Sequence, residues 1–294
     1  MVRTGTEASN PRSAALDRMS TLEIVTLMNE EDATVPAAVE RALPAVAAAV
    51  DATVTRLRRG GRLIYVGAGT SGRIAVLDAV ECVPTFSVPP TLVQAIMAGG
   101  EAALTQSIED VEDDADAAAA EIAGRSVGPN DMVAGVAASG RTPFVLGGLQ
   151  AARDRGASTI GISNNEPAPL LELADHPIAA ITGPEVLAGS TRLKSGTAQK
   201  LICNMLTTAT MVRMGKVYDD RMIDVAIGNT KLRARAEGIV ADLVGCPVEQ
   251  AARLLDAADE EVKTAVLMGL EDIDAMAARQ RLDTAGGYLR QALD

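Results

Sequence analysis

Hydroxyl side chains set among glycines, at points where apolar runs break, are the residues of this chain best placed to do chemistry. The segment Arg62-Leu-Ile-Tyr-Val-Gly-Ala-Gly-Thr-Ser-Gly-Arg73 passes from β-branched residues into a glycine turn and then into a helical pattern. A strand, a tight turn and a helix N-terminus in that order hold an anionic group on free backbone N–H donors. Gly69, Thr70 and Ser71 form the turn, and its hydroxyls can add hydrogen bonds to phosphate oxygens. A second turn of this kind, Ala138-Ser139-Gly140-Arg141-Thr142-Pro143, follows the apolar run Met132–Ala137. Pro143 suits the first turn of a helix, which makes Ser139, Gly140 and Thr142 a second set of candidates. In a parallel sheet both turns lie at the carboxyl edge, where open α/β folds bind ligands. A third segment, Gly189-Ser-Thr-Arg-Leu-Lys194, opens a long helical pattern with Ser190 or Thr191 as its expected cap. There Arg192 and Lys194 can bring positive charge to a phosphate.

Other readings of these segments stay open on residue types alone. Gly67-Ala-Gly-Thr-Ser-Gly72 literally matches G-x-G-x-x-G, but a dinucleotide fold also wants an acid at the end of the second strand. Here that strand runs Thr91–Met97, and Glu101 opens the next segment instead. A glycine turn with no ligand is a second alternative, and Ser139 and Thr142 can serve as plain helix caps. His176, the only histidine, precedes a strand in Ala174-Asp-His-Pro177 and reads as structural or solvent-facing.

The elements that must hold these turns follow from periodicity. Residues 20–58 read as two Ala- and Val-rich helices, the first opened by a capping box at Ser20 and Glu23. Strands are expected at Leu63–Val66, Thr91–Met97, Met132–Ala137, Thr159–Ser163 and Ile178–Thr182. Helices are expected at Ser71–Val80, Glu101–Ala123, Pro143–Arg155 and Thr191–Gly215. Strands spaced by helices imply an α/β fold with a doubly wound parallel sheet. Past Tyr218 only helices are expected, at Lys231–Val244, Pro247–Ala257, Glu260–Leu267 and Ile273–Leu293, with caps at Asn229 and Asp259. The chain thus divides into an N-terminal helical segment (1–53), a phosphate-binding domain (54–217) and a C-terminal helical subdomain (218–294).

Composition narrows the partners. Of 294 residues, 48% are hydrophobic but only 2% aromatic, so the core rests on Ala, Val, Leu, Ile and Met. The formal charge of −12 disfavours nucleic acid and anionic membranes, and any phosphate site must be made locally. Cys82, Cys203 and Cys246 form no C-x-x-C pair, which fits a reducing compartment. No secretory h-region appears in Met1–Ser13 and no apolar run reaches a membrane span. A soluble cytoplasmic protein is the expectation.

The paired turns resemble the sugar isomerase (SIS) domain, whose members bind phosphosugars with such Ser/Thr turns. A closer resemblance is to the N-acetylmuramic acid 6-phosphate etherase family. It is carried by Thr6-Glu-Ala-Ser-Asn-Pro11, Leu16-Asp-Arg-Met-Ser-Thr21, Gly67–Arg73, Asp78-Ala-Val-Glu-Cys-Val-Pro-Thr-Phe86 and the long Gly183–Lys200 segment. The last is shared with the glucokinase regulatory protein. Val83 stands where the family run has Pro, a departure that bears on loop rigidity. The resemblance implies removal of D-lactate from the sugar by elimination across C2–C3 and addition of water, with no metal or cofactor. Such a reaction needs two proton-transfer groups, because the lactyl oxygen leaves poorly unless protonated. By resemblance these are Glu81, donor to departing lactate, and Glu112, the acid/base group of the half-reaction with water. Without the family, Glu112 reads as part of a solvated acidic helix face. Glu81 lies among Ala79, Val80, Cys82 and Val83, and partial burial there is expected to keep it protonated. The resemblance also implies that Arg192 or Lys194 can meet the lactyl carboxylate. It implies a homodimer as well, with the apolar Leu201–Met214 face helping to bury it. A monomer core helix is the alternative for that face. For the whole chain the alternatives are a non-catalytic phosphosugar-sensing regulator and a ketose–aldose isomerase.

Overall fold

The computed structural model describes residues 5–294. The apolar run becomes β1 (Leu63–Gly67), in a five-stranded sheet with β2 (Val93–Met97), β3 (Met132–Val136), β4 (Ser158–Ser163) and β5 (His176–Ala179). The spatial order is β2-β1-β3-β4-β5, and every pairing is parallel. Each residue of β1, β3 and β4 is buried, as parallel strands covered on both faces must be. One face sets Ile64, Val66 and Val133 against Ile122 of α5 (Ala115–Gly124) and Val145 and Leu149 of α6 (Pro143–Asp154). The α/β doubly wound reading therefore holds. Because the chain leaves β1 toward one edge and β3 toward the other, their carboxyl ends flank the switch point where such folds bind ligands.

Local chemistry moved several boundaries. Where two N-terminal helices were expected there are three: α1 (Thr21–Asp32), α2 (Val35–Glu40) and α3 (Leu43–Leu57). Pro36 and Pro44 each sit in the first positions of a new helix and restart it. The capping box at Ser20 and Glu23 forms. No single helix is long and apolar enough to cross a membrane among the described residues. The helix after the first turn, α4 (Gly69–Phe86), runs beyond Val80 and through Pro84. The expected acidic helix Glu101–Ala123 is broken into 3₁₀ turns at Glu101–Leu104 and Val111–Asp113, followed by α5. Asp110 takes φ 64°, which no helix allows, and Asp114 caps α5 by accepting from the Ala117 N–H. β5 ends at Ala179 rather than reaching Thr182.

By residue contacts the chain forms two compact units. The first runs to Val80 and resumes from Pro90 to Thr207, and it contains the sheet. The second joins Glu81–Pro89 to Thr208–Asp294. Its core draws Ile239 and Val240 from α9 (Thr230–Val244), Leu255 from α10 (Val248–Ala257), Val266 and Leu267 from α11 (Val262–Glu271), Leu282 from α12 (Ala275–Thr284) and Leu289 from α13 (Leu289–Leu293). A short antiparallel pair, β6 (Val217–Tyr218) and β7 (Arg221–Met222), precedes these helices and was not expected. Asn229 caps α9 as expected, but Asp259 caps nothing. It has φ 52°, and α11 starts only at Val262.

Candidate active site

The ladder fixes how close the two hydroxylated turns come. Gly67 at the end of β1 pairs with Val136 at the end of β3, so the turns leave neighbouring strands side by side. Strand spacing alone then puts them about 5 Å apart at their bases. In the first turn, Gly69 has φ +52° and Thr70 and Ser71 lie half-buried in the opening turn of α4. The first N–H groups of a helix lack intrahelical partners, so this end offers donors as well as hydroxyls. In the second turn, Gly140 has φ +63°, and the Ser139 hydroxyl accepts from the Arg141 N–H at 3.2 Å. Thr142 occupies the N-cap position of α6, yet its side chain makes no capping hydrogen bond. Capping therefore leaves the Thr142 hydroxyl unused.

The third segment differs from expectation. The long helix, α8, spans Lys194–Arg213, so Ser190 and Thr191 lie before it in a turn and cap nothing. Its cap is Glu185, which was not anticipated. The buried carboxylate accepts from the N–H groups of Lys194 at 2.9 Å and Ser195 at 3.0 Å, and from the Ser195 hydroxyl at 2.8 Å. A negative charge at a helix N-terminus is favourable on both counts. Lys194 is buried, its ammonium 2.7 Å from the equally buried Glu31 on α1. This pairing accounts for its charge within the protein. The start of α8 does approach the first turn. A methyl added at Gly196 would meet the Thr191 carbonyl at 3.5 Å and the Thr70 Cγ2 at 3.6 Å.

Further polar residues brace the carboxyl edge and escaped sequence reasoning. Asn165, just past β4, donates to the Ala138 carbonyl at 2.9 Å and to the Thr6 hydroxyl at 2.8 Å, and accepts from the Thr6 N–H at 3.0 Å. Asn164 donates to the Ala180 carbonyl at 2.9 Å and accepts from Gln199 of α8 at 3.0 Å. The signal was present in Ser163-Asn164-Asn165, polar residues ending a fully buried strand. Beneath the first turn, buried Asp78 accepts from Tyr65 at 2.9 Å, Asn204 at 2.7 Å and Thr207 at 3.1 Å. Burial raises its carboxyl above the ordinary range against the pull of those donors. Burial and the Asp78 charge likewise push the Cys203 thiol far up, so it carries no thiolate.

The two glutamates are both exposed. Glu112 lies in the 3₁₀ turn Val111–Asp113 of the first unit, while Glu81 lies on α4 in the residues grouped with the second unit. The burial expected for Glu81 is therefore corrected. Its helix turns the apolar neighbours Leu77 and Val80 outward as well, at 56% and 59% exposure. Ala79 and Cys82 are buried, but Glu81 shares the outer side of the helix with Leu77 and Val80, so apolar neighbours in sequence do not bury it. His176 begins β5 and is half-buried.

Residues 45–153 match the glucokinase regulatory protein N-terminal SIS domain, and residues 108–209 match the SIS domain. An N-acetylmuramic acid 6-phosphate etherase of Rubrobacter xylanophilus is 53% identical over 98% of this chain and 95% of its own length. Those of Streptomyces avermitilis and Escherichia coli O127:H6 are 52% and 48% identical, again over 98% of this chain and over 93% and 97% of theirs. The chain belongs to the N-acetylmuramic acid 6-phosphate etherase family. As in its sequence, so in its fold this etherase-family chain is SIS-like. A phosphoheptose isomerase from Francisella tularensis superposes on it with TM-score 0.53 and 21% identity, over 66% of this chain and all of that one.

Proposed function

We propose that this chain is a lyase that cleaves the D-lactyl ether of N-acetylmuramic acid 6-phosphate, yielding D-lactate and N-acetylglucosamine 6-phosphate. The reading is carried by its end-to-end likeness to etherases, at 53% identity over 98% of the chain. The sugar phosphate binds across the two turns, on Gly69, Thr70 and Ser71 and on Ser139, Gly140 and Thr142. Neighbouring carboxyl ends at a sheet switch point support that placement. Ser190 and Thr191 line the same cradle, supported by the closeness of Gly196, at the start of α8, to Thr70 of the first turn. Lys194 contributes through the start of α8, which its side chain ties to Glu31.

Elimination passes the C2 proton, acidified by the adjacent open-chain aldehyde, to a carboxylate of the Glu81 and Glu112 pair and expels lactate from C3. Water then adds across the double bond, its hydroxyl going to C3 and a proton returning to C2. Glu81 donates the proton to the leaving lactyl oxygen, and Glu112 serves the half-reaction with water. The enzyme acts in the cytoplasm as a homodimer. Incubating the protein with the muramic acid 6-phosphate substrate and assaying lactate tests the reading. Lactate should appear, and Glu81→Gln and Glu112→Gln should each slow the turnover by two or more orders of magnitude, the typical worth of a positioned proton-transfer group (about 10²–10⁴-fold). Tight sugar-phosphate binding without lactate would make the chain a sensor instead. Near-normal release from Glu81→Gln would remove that residue from the mechanism.

A further inference from the structure

Between β2 and α5 the chain runs through an exposed acidic loop, and little apolar burial holds it. From Glu101 to Asp110 only Ala103 is buried, and residues 101–114 include Glu101, Glu109, Asp110, Glu112, Asp113 and Asp114. Such a segment should be mobile unless tied, because few buried contacts offset its conformational entropy. The tie is Arg73, two residues beyond Ser71 in α4. Its Nε donates to the Leu104 carbonyl at 3.2 Å and its Nη2 to the Gln106 carbonyl at 2.9 Å. Downstream the loop folds back on its own origin. A methyl added at Gly99 would meet Ile108 Cδ1 and Val111 Cγ2, each at 3.3 Å. Val111 directly precedes Glu112, and Asp114 caps α5 immediately after. The guanidinium, the Ile108–Val111 contact on Gly99 and the cap thus leave the Glu112 turn few ways to move.

We propose that Arg73 is a positioning residue for Glu112. From the phosphate-turn helix it fixes the β2–α5 loop, so that the Glu112 carboxylate keeps its place relative to the first hydroxylated turn. Planar and forked, the guanidinium reaches two carbonyls at once, which a lysine ammonium on a longer, flexible stem does poorly. The inference rests on the reading of Glu112 as an acid/base group, and the experiment separates the two. Arg73→Ala should lower kcat for lactate release on the order of tenfold to a hundredfold, the cost of a small misplacement. KM should stay within about twofold, since no substrate contact is lost. Backbone amides of residues 104–112 should exchange faster with deuterium while those of the sheet do not change, and Arg73→Lys should recover part of both. On a Glu112→Gln background, Arg73→Ala should cost nothing further, because the two act as one unit. A raised KM at unchanged kcat would mean that Arg73 grips the substrate, and full additivity with Glu112→Gln would mean that it acts elsewhere. Either result overturns the proposal, as does unchanged exchange in the loop. If Glu112→Gln alone keeps full activity, the acid/base reading fails, while the exchange data still decide whether Arg73 holds the loop. Should Arg73→Ala fail to fold, Arg73→Lys carries the same kinetic and exchange comparisons.

Discussion

Lys194 and Glu31 lie 163 positions apart in the chain, at 3% and 6% exposure, with their charged atoms 2.7 Å apart. Removing one partner strands the other charge in the interior, so Glu31→Gln or Lys194→Met should each cost about 3–5 kcal/mol in urea denaturation. The double variant Glu31→Leu/Lys194→Met should recover much of that loss, because no charge is then left unpaired. The pair also fixes the sign of an acid effect. Burial alone would raise the Glu31 carboxyl, but Lys194, Asn10 and Arg12 outweigh it and hold Glu31 below the ordinary range. Asp131 is lowered in the same way, with burial opposed by Arg62 and the Gly128 N–H. A carboxyl whose folded value is lowered stabilises fully above its unfolded value and loses that contribution as pH falls through the folded one. Stability should therefore drop as pH falls below the ordinary carboxylate range, and Glu31→Gln should flatten that drop. Asp78 runs the other way. Burial raises its carboxyl, so its contribution is complete below the ordinary range and diminishes as pH rises through the raised value. Denaturation midpoints of the parent, Glu31→Gln and Asp78→Asn across pH 3–8 would show opposite changes in slope. None of this was legible in sequence, since no local pattern signals that a lysine in a Ser/Thr-rich segment meets an acid on the first helix.

The turn between β1 and α4 depends on close backbone approach, which makes its glycines unequal. A Cβ at Gly67 would lie 2.7 Å from Gly72 Cα and 2.8 Å from Gly72 N, so strand and helix would have to part. Gly69 meets nothing within 4 Å but has φ +52°, so a side chain there meets only backbone strain. Gly67→Ala should therefore cost about 1–3 kcal/mol as an overpacked contact, and Gly69→Ala about 1–2 kcal/mol as a left-handed residue. Thermal denaturation checks that order. Calorimetric titration with N-acetylglucosamine 6-phosphate should find weaker binding in Gly67→Ala, whose turn is spread. The sequence announced this turn clearly because glycine spacing and a β-branched run are local signals. The same locality explains β3, β4 and the helix after the second turn. It failed at Glu101–Ala123, where helix-forming Ala and Glu surround Asp110, whose φ of 64° is set by the path of the loop. It failed again at the start of α8, where the cap is Glu185, nine residues upstream of Lys194, and not the hydroxyl nearest the helix.

Across the whole molecule, the apolar surface that remains exposed is the more informative guide to association. The face of α8 once expected to bury a second copy is turned into the chain itself. Ile202, Cys203 and Leu206 are fully buried and Met211 is 1% exposed. This correction follows from a core poor in aromatics, in which long aliphatic helices fill most of the space around Tyr65, Phe86 and Phe144. Among the large apolar side chains left outside are two i, i+3 pairs: Leu22 and Val25 on α1, at 74% and 51% exposure, and Leu77 and Val80 on α4, at 56% and 59%. Single exposed leucines are ordinary, but paired ones on one helix face form a stripe that gains by burial. With a formal charge of −12, two copies repel over long range, so only contiguous apolar contact can hold them together. A stable homodimer needs about 800 Å² from each partner, more than one such stripe supplies, so both are expected to take part. Sedimentation equilibrium should give twice the 30.3 kDa chain mass. Leu22→Glu/Val25→Glu and Leu77→Glu/Val80→Glu should each shift it toward one chain without lowering the denaturation midpoint of the protomer, since the substituted side chains are already in water. A single-chain mass for the parent at micromolar concentration would leave both stripes without a role in self-association.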